Sequence, residues 1–255
     1  MSLTFNLSGR TALVTGASSG LGRHFAGVLA RHGARVAVAA RRFTALESLA
    51  QEICDVGGRA LPITLDVTDA TSVTSAVDAV FDALGPIDIL VNNSGVTVSK
   101  PLLDIVPGEW DATLDTNLKG AFLVTTQVAR RLRDAGRGGC VINVASILGL
   151  RQAGHVAPYA ASKAGLVQLT KVMALELARF DIRVNAIAPG YFQTDLNREF
   201  LASDAGRALC KHVPQRRFGR PADLDGPLLL LASDASRYMT GAVLAVDGGH
   251  LTSTL

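Results

Sequence analysis

A single-domain, doubly wound parallel α/β sheet is the fold class the sequence predicts, and three observations predict it. Short apolar runs alternate along the chain with longer stretches of helical period. The runs are continuously apolar rather than alternating, as in strands covered on both faces. A glycine-rich turn separates the first run from the first helical stretch.

TALVT (11–15) reads as the first strand and 20–32 as the first helix. RVAVAA (35–40) is the second strand, and 45–56 is a helix that ends before Gly57-Gly58. ALPITL (60–65), a helix over 71–84 and IDILVN (87–92) follow. One long helical stretch covers 109–134, then CVINVA (140–145), a helix over 158–179 and IRVNAIA (182–188). Residues 191–218 are more polar and irregular. A helix over 221–232 and AVLAVD (242–247) finish the domain. No linker or repeat divides the 255 residues, so about seven strands with helices on both faces are expected in one domain. Right-handed crossovers then collect the strand C-termini on one edge, where ligands bind. Gly16, Arg41, Asp66, Asn93, Ser146 and Gly190 each follow a strand and are expected on that edge.

Composition narrows the function. Hydrophobic residues make up 48% and charged residues 18%, which argues against disorder. The net charge of +3 comes from scattered arginines with no dense basic run, which argues against nucleic-acid binding. Cys54, Cys140 and Cys210 lie far apart and form no metal-ligand pattern with the histidines. No apolar run approaches the roughly 18 residues of a membrane span, and the N-terminus lacks a long apolar segment. A cytoplasmic protein with reduced thiols and no metal is expected.

The turn reads TGASSGLG (15–22) and holds two patterns. Gly16-Ala17-Ser18-Ser19-Gly20 fits the G-x-S-x-G nucleophile elbow. That reading needs an earlier strand to supply an oxyanion donor and a well-placed late histidine. The motif follows the first strand, and His250 lies near the C-terminus, where a frayed end is expected. The second pattern, G-x-x-x-G-x-G between strand and helix, suits a phosphate: Gly16 for the tight turn, Gly20 for close approach of a pyrophosphate, Gly22 for helix–strand packing. NAD-binding units place Asp or Glu about 20 residues later, on the ribose hydroxyls. Here no acidic residue precedes Glu47, and the second strand ends Ala40-Arg41-Arg42. A guanidinium suits a 2′-phosphate, so NADP(H) is expected over NAD(H).

These residues, with others downstream, resemble the short-chain dehydrogenase/reductase family over nearly the whole chain, with a likeness to its 3-oxoacyl-carrier-protein reductases. TGASSGLG matches the family's cofactor loop, Asp66-Val67 its adenine-contacting pair and Asn92-Asn93-Ser94-Gly95 its N-N-A-G stretch, with Ser94 where alanine is usual. Asn117, Ser146 and Tyr159-x-x-x-Lys163 match its catalytic residues, and Pro189-Gly190 with Thr194 matches the loop at the nicotinamide. The resemblance implies a Rossmann fold and cofactor contacts at Gly16, Ser18, Ser19, Gly20, Leu21, Arg41, Arg42, Asp66, Val67, Asn93, Gly95, Tyr159, Lys163, Pro189, Gly190, Phe192 and Thr194. It implies that Tyr159 exchanges a proton with a carbonyl or alcohol oxygen and that Ser146 polarises that oxygen. Lys163 would lower the Tyr159 pKa and hold the nicotinamide ribose, and Asn117 would position a water linking Lys163 to solvent. Chemistry supports the pairing: four residues apart on a helix, Tyr159 and Lys163 share a face, and an ammonium favours the phenolate.

Leu148, His155 and Tyr191 flank the expected substrate pocket, with Ser146 and Tyr159 inside it; for His155 a surface position is the simpler reading. Residues 191–218 are expected to form a substrate lid, in which Phe200, Leu201, Leu209 and Val213 offer apolar surface. The resemblance implies a homotetramer or homodimer through the two long helices. The activity expected is NADP(H)-dependent interconversion of a ketone and a secondary alcohol. The alternatives are NAD-dependent oxidation of a sugar acid or polyol, or a non-catalytic dinucleotide-binding regulator.

Overall fold

The computed structural model describes residues 5–193 and 198–253. Seven strands form one sheet: β1 (Thr11–Thr15), β2 (Arg35–Ala40), β3 (Arg59–Thr64), β4 (Ile89–Asn92), β5 (Gly139–Val144), β6 (Ile182–Pro189) and β7 (Val243–Val246). Their order is β3-β2-β1-β4-β5-β6-β7, and every neighbouring pair is parallel. The expected doubly wound parallel sheet is therefore the observed one. Helices α1 (Gly20–Arg31), α2 (Phe43–Asp55) and α9 (Asp225–Ala232) pack one face of it. Helices α3 (Ala70–Leu84), α5 (Gly120–Asp134) and α6 (Ala157–Leu177) cover the other. The remaining helices are α4 (Pro107–Leu114), α7 (Arg198–Ala202) and α8 (Asp204–Cys210).

The central strands are apolar and buried throughout, because helices cover both faces. The edges differ. β3 and β7 are only partly covered, and β3 carries Pro62, which an edge strand tolerates because one row of its backbone groups needs no ladder partner. Beneath the C-terminal edge lies a buried polar network. Asn92 Nδ2 donates to Thr125 Oγ1 (2.8 Å) and Asn143 Oδ1 (2.9 Å), and Asn143 Nδ2 donates to Thr170 Oγ1 (2.9 Å). These bonds fasten β4 and β5 to α5 and α6 and set the depth at which α6 lies on the sheet.

The stretch expected as one helix over 109–134 is interrupted. α4 and α5 are joined by a π-turn, Asp115–Lys119, in which the Gly120 N–H reaches back to the Asp115 carbonyl. The cause is tertiary: the Asn117 side chain is bonded to groups outside its own helix, and a Cβ on Gly120 would meet Val67 Cγ2 at 2.7 Å. The helix expected over 221–232 begins as a 3-10 turn (Pro221–Leu224) before α9. Residues 191–218 hold α7 and α8. The segment is stitched at its base, where Gly219 N–H donates to the Tyr191 carbonyl (2.9 Å) and Gln193 N–H to the Gly219 carbonyl (3.0 Å). Leu201 and Val213 are buried, so they do not offer the free apolar surface the sequence suggested, and the Phe200 side chain lies outside what is described.

Candidate active site

The strand ends meet at a cleft of about 880 Å³ that runs from the β1 turn to the start of α6. It opens at the switch point, where β1 has β2 on one side and β4 on the other. Gly16 (φ +65°) turns the chain there, and a Cβ on it would meet Ser94 Cα at 2.9 Å. A Cβ on Gly22 would lie 2.4 Å from both the Gly16 carbonyl and Asn93 Nδ2, so the close packing is between helix and turn. A Cβ on Gly20 (φ +55°) would meet nothing within 4 Å, which leaves the approach to the helix start open. α1 begins with no acidic residue in its first turn and no side-chain cap, so its N–H groups are available to an anion. Arg42 Nη2 donates to Ser18 Oγ (3.0 Å) and Ser19 Oγ (2.9 Å), bringing a cation to the same turn.

Arg41 and Arg42 are both exposed and line the cleft, as do Leu21, Asp66, Val67, Asn93 and Gly95. Asp66 is held below the usual carboxylate range, first by the Thr68 N–H and then by the Thr68 hydroxyl, with Arg41 adding a smaller effect. These features fit a dinucleotide: an open glycine turn at a helix start, with cations where a further phosphate would lie.

At the other end, Ser146 follows β5 and accepts the Leu148 N–H (3.1 Å). The Ser146 side chain stands near enough to the Tyr159 hydroxyl to hold the Tyr159 pKa down against burial, and both residues line the cleft. A Cβ on Gly149 would meet the Lys163 carbonyl at 2.7 Å, so the Ser146 turn rests directly on α6. Lys163 is buried, and its Nζ donates to the Val144 carbonyl (2.7 Å) and lies 5.7 Å from the centre of the Tyr159 ring. Burial lowers the Lys163 pKa to about 8. Burial raises that of Tyr159, opposed by the Ser146 side chain and assisted by Tyr191. The depressed phenol expected from the Lys163 charge is thus absent in the free protein: desolvation dominates.

Asn117 is buried and does not line the cleft. Its Oδ1 accepts the Val96 N–H (2.8 Å), and its Nδ2 donates to the Val96 carbonyl (2.9 Å) and to Ser162 Oγ (3.0 Å). A Cβ on Gly95 would lie 3.5 Å from Asn117 Oδ1 and 3.7 Å from Lys163 Nζ, so both polar groups flank that glycine.

Leu148, Pro189, Gly190, Tyr191 and Phe192 line the cleft around Tyr159. His155 is exposed with φ +67° and is not among the lining residues. Thr194 lies outside the described residues. Two neighbours of this end carry no sequence signal. His250, expected in a frayed terminus, is 5% exposed, and its ring packs 5.7 Å from that of Tyr191. Arg151 Nη1 donates to the His250 carbonyl (2.5 Å), which ties the C-terminal turn to the lip after β5. No group that could hold a metal occurs among the described residues, and no helix there is long and apolar enough to cross a membrane.

Fold and cleft together fit an oxidoreductase of the nicotinamide-dinucleotide class, with a serine, a tyrosine and a lysine gathered at one end. Residues 10–205 match the model of the short chain dehydrogenase family. The chain is 42% identical over 94% of its length to the L-rhamnose 1-dehydrogenase (NAD(P)(+)) of Azotobacter vinelandii, covering 96% of that protein. It is 39% identical over 95% of its length to a 3-oxoacyl-[acyl-carrier-protein] reductase of Thermotoga maritima, covering 98% of it. A gluconate 5-dehydrogenase of Burkholderia cenocepacia, solved with NADP and tartrate, superposes with a TM-score of 0.94 at 38% identity, with 98% of each chain covered. The chain belongs to the short-chain dehydrogenase family and is an NAD(P)-dependent oxidoreductase.

The depressed Lys163 has a measurable consequence. The folded protein releases this proton near pH 8, while the unfolded chain keeps it to the ordinary 10.5. Between those values the unfolded state binds more protons, so Lys163 makes folding stability rise with pH. Lys163→Met is expected to flatten the rise in the urea unfolding free energy between about pH 8 and about pH 10, relative to the parent. An unchanged slope would mean that Lys163 is not desolvated in solution.

Proposed function

We propose that the protein interconverts a ketone and a secondary alcohol with NADP(H) as the preferred cofactor. The observation that carries this reading is the gathering of Ser146, Tyr159 and buried Lys163 at the far end of a cleft that begins at the Arg42-bridged glycine turn. Gly16, Ser18, Ser19, Gly20 and Leu21 would hold the pyrophosphate side, and Arg41 and Arg42 the 2′-phosphate. Asp66, Val67, Asn93 and Gly95 would line the adenosine and ribose path, and Pro189, Gly190, Phe192 and Thr194 the nicotinamide. Bound there, the nicotinamide supplies or accepts the hydride at the reacting carbon.

The chain's own groups handle the oxygen. Ser146 orients the carbonyl by a hydrogen bond. In reduction Tyr159 passes its hydroxyl proton to that oxygen as the C=O π pair moves onto it; in oxidation Tyr159 takes the alcohol proton back. Lys163 holds the cofactor ribose and carries the charge that counters a phenolate. Asn117 fixes the Val96 backbone and the α6 helix on either side of Gly95, where a water would connect Lys163 to solvent. The described residues of the segment 191–218 would form the substrate lid of one domain, and the site of action would be the cytoplasm. The NAD-dependent sugar-acid and polyol alternative stays in view because one relative's name gives both cofactors.

Tyr159→Phe removes the exchangeable proton and keeps the ring. Turnover is expected to fall at least about a hundredfold, with the NADPH dissociation constant within about threefold. Retained turnover would remove Tyr159 from the chemistry. Fluorescence titration is expected to give NADPH an affinity at least about tenfold above NADH, and Arg42→Ala to shrink that ratio by about tenfold, the worth of one charge-assisted hydrogen bond. Equal or tighter NADH binding would exclude the arginine clamp.

The outer faces of α5 and α6 expose Phe122, Val172 and Leu175. We read them as the contact of a homotetramer or homodimer. Sedimentation velocity is expected to show no monomer at micromolar concentration; a monomer would end this reading.

A further inference from the structure

At the lip behind the reacting end of the cleft stand polar groups that the hydride and proton steps do not use. Tyr191 lines the cleft next to Pro189 and Gly190 and lies close enough to Tyr159 for the two phenols to interact. Its ring packs against His250 at 5.7 Å and edge-on to Phe218 at 6.4 Å. Behind it, outside the cleft lining itself, stands Arg151, whose Nη1 holds the His250 carbonyl and whose charge lowers the Tyr191 pKa against the larger upward effect of burial. Among the described residues, Nε and Nη2 of Arg151 have no hydrogen-bond partner. His250 is more than nine-tenths buried, and its Nδ1 has no partner either. Buried polar atoms are rarely left unpaired, so this nitrogen has a donor or acceptor to spare for a hydroxyl that reaches past Tyr191.

The charged groups around this end are largely engaged already. Lys163 lies beneath Tyr159. Asp247, the carboxylate nearest His250 in sequence, is engaged by the Gly249 N–H (2.9 Å) and the Leu251 N–H (2.6 Å). Lys100, on the loop bonded to His155, is paired with Glu109. Among the described residues, Arg151 is therefore the cation with free donors beside Tyr191, and no carboxylate is paired with it. A guanidinium with two free donors in a sheltered mouth favours an anionic group.

We propose that Arg151, with Tyr191 between it and Tyr159, forms the anion-recognising end of the substrate pocket, and that the substrate is a hydroxy acid or oxo acid. His250 supplies a hydrogen bond to a hydroxyl along such a chain. The inference rests on Tyr159 marking the reacting oxygen, and it adds the class of molecule that oxygen belongs to.

The test uses gluconate as the hydroxy acid, rhamnose as the neutral sugar and the full-length protein. Arg151→Gln keeps a donor for the His250 carbonyl and removes the charge, so the C-terminal turn stays tied. The ratio of kcat/KM for gluconate to that for rhamnose is expected to fall at least about tenfold in Arg151→Gln, chiefly through the gluconate KM. Gluconate binding to the NADP-loaded protein, read by calorimetry, is expected to weaken about tenfold in the variant and to weaken with salt in the parent. A merely structural Arg151 would lower both kcat/KM values equally and leave the salt dependence of the parent flat. Either result overturns the inference, as does failure of gluconate to bind the parent. Salt-dependent gluconate binding without turnover would instead support Arg151 and count against the catalytic reading.

Discussion

The site depends on how tightly the end of β1 is held to the end of β4. The Thr15 hydroxyl accepts the N–H groups of Asn93 (3.0 Å) and Ser94 (3.1 Å) and faces the Val91 carbonyl at 3.4 Å. Asn93 Nδ2 returns to the carbonyls of Thr15 (3.1 Å) and Gly16 (3.2 Å). Side chains thus pair the backbone groups that the strands leave unpaired where they diverge. The glycine turn, the start of α1 and the loop leading to Val96 all take their positions from this junction. Glycine at 16 and 22 is required because backbone and side chain approach within contact distance there.

A second set of bonds carries that order across the sheet. Val96, next along the same loop, is gripped by Asn117, and Asn117 donates to Ser162, whose hydroxyl donates to the Tyr159 carbonyl at 2.7 Å. The direction of each bond is forced. The Val96 N–H must meet Oδ1, which turns Nδ2 toward Ser162 and leaves the Ser162 proton only a carbonyl to donate to. The π-turn between α4 and α5 is the local cost of aiming Asn117 this way.

Much of this was legible in the sequence, for physical reasons that differ by element. The buried strands were readable because cover on both faces demands uninterrupted apolar runs, and their bounds fall within a residue or two of those expected. The cleft was readable because parallel strands put their C-terminal ends together: Gly16, Arg41, Asp66, Asn93, Ser146 and Gly190 all line it. What was not legible depends on contacts between distant residues. Nothing in LDTNLKGAF announces a π-turn, since its cause is a hydrogen bond to Val96. Arg151 and His250 read as a loop arginine and a tail histidine until the two are seen bonded across 99 positions. Leu201 and Val213 look like pocket surface in sequence and are covered in the fold.

The protonation of the Tyr159–Lys163 pair is the point on which sequence logic and structure part, and the difference has a functional meaning. Spacing four residues apart on a helix suggests an ammonium that draws the proton off a phenol. In the folded protein one desolvated environment acts on both groups, and it favours the neutral form of each: the phenol is raised and the amine lowered to about 8. Lys163 lies over the Tyr159 ring and gives its hydrogen bond to Val144, so its effect on the phenol is through charge at a distance and not through a hydrogen bond. Burial therefore reinforces the ordinary preference of Tyr159 for the hydroxyl, the form that would donate a proton to a carbonyl. The alcohol-oxidising direction needs the phenolate, which this environment opposes. In the proposed reaction, therefore, carbonyl reduction is the direction for which the acid form is already in place at neutral pH, and oxidation is the one that gains as pH rises.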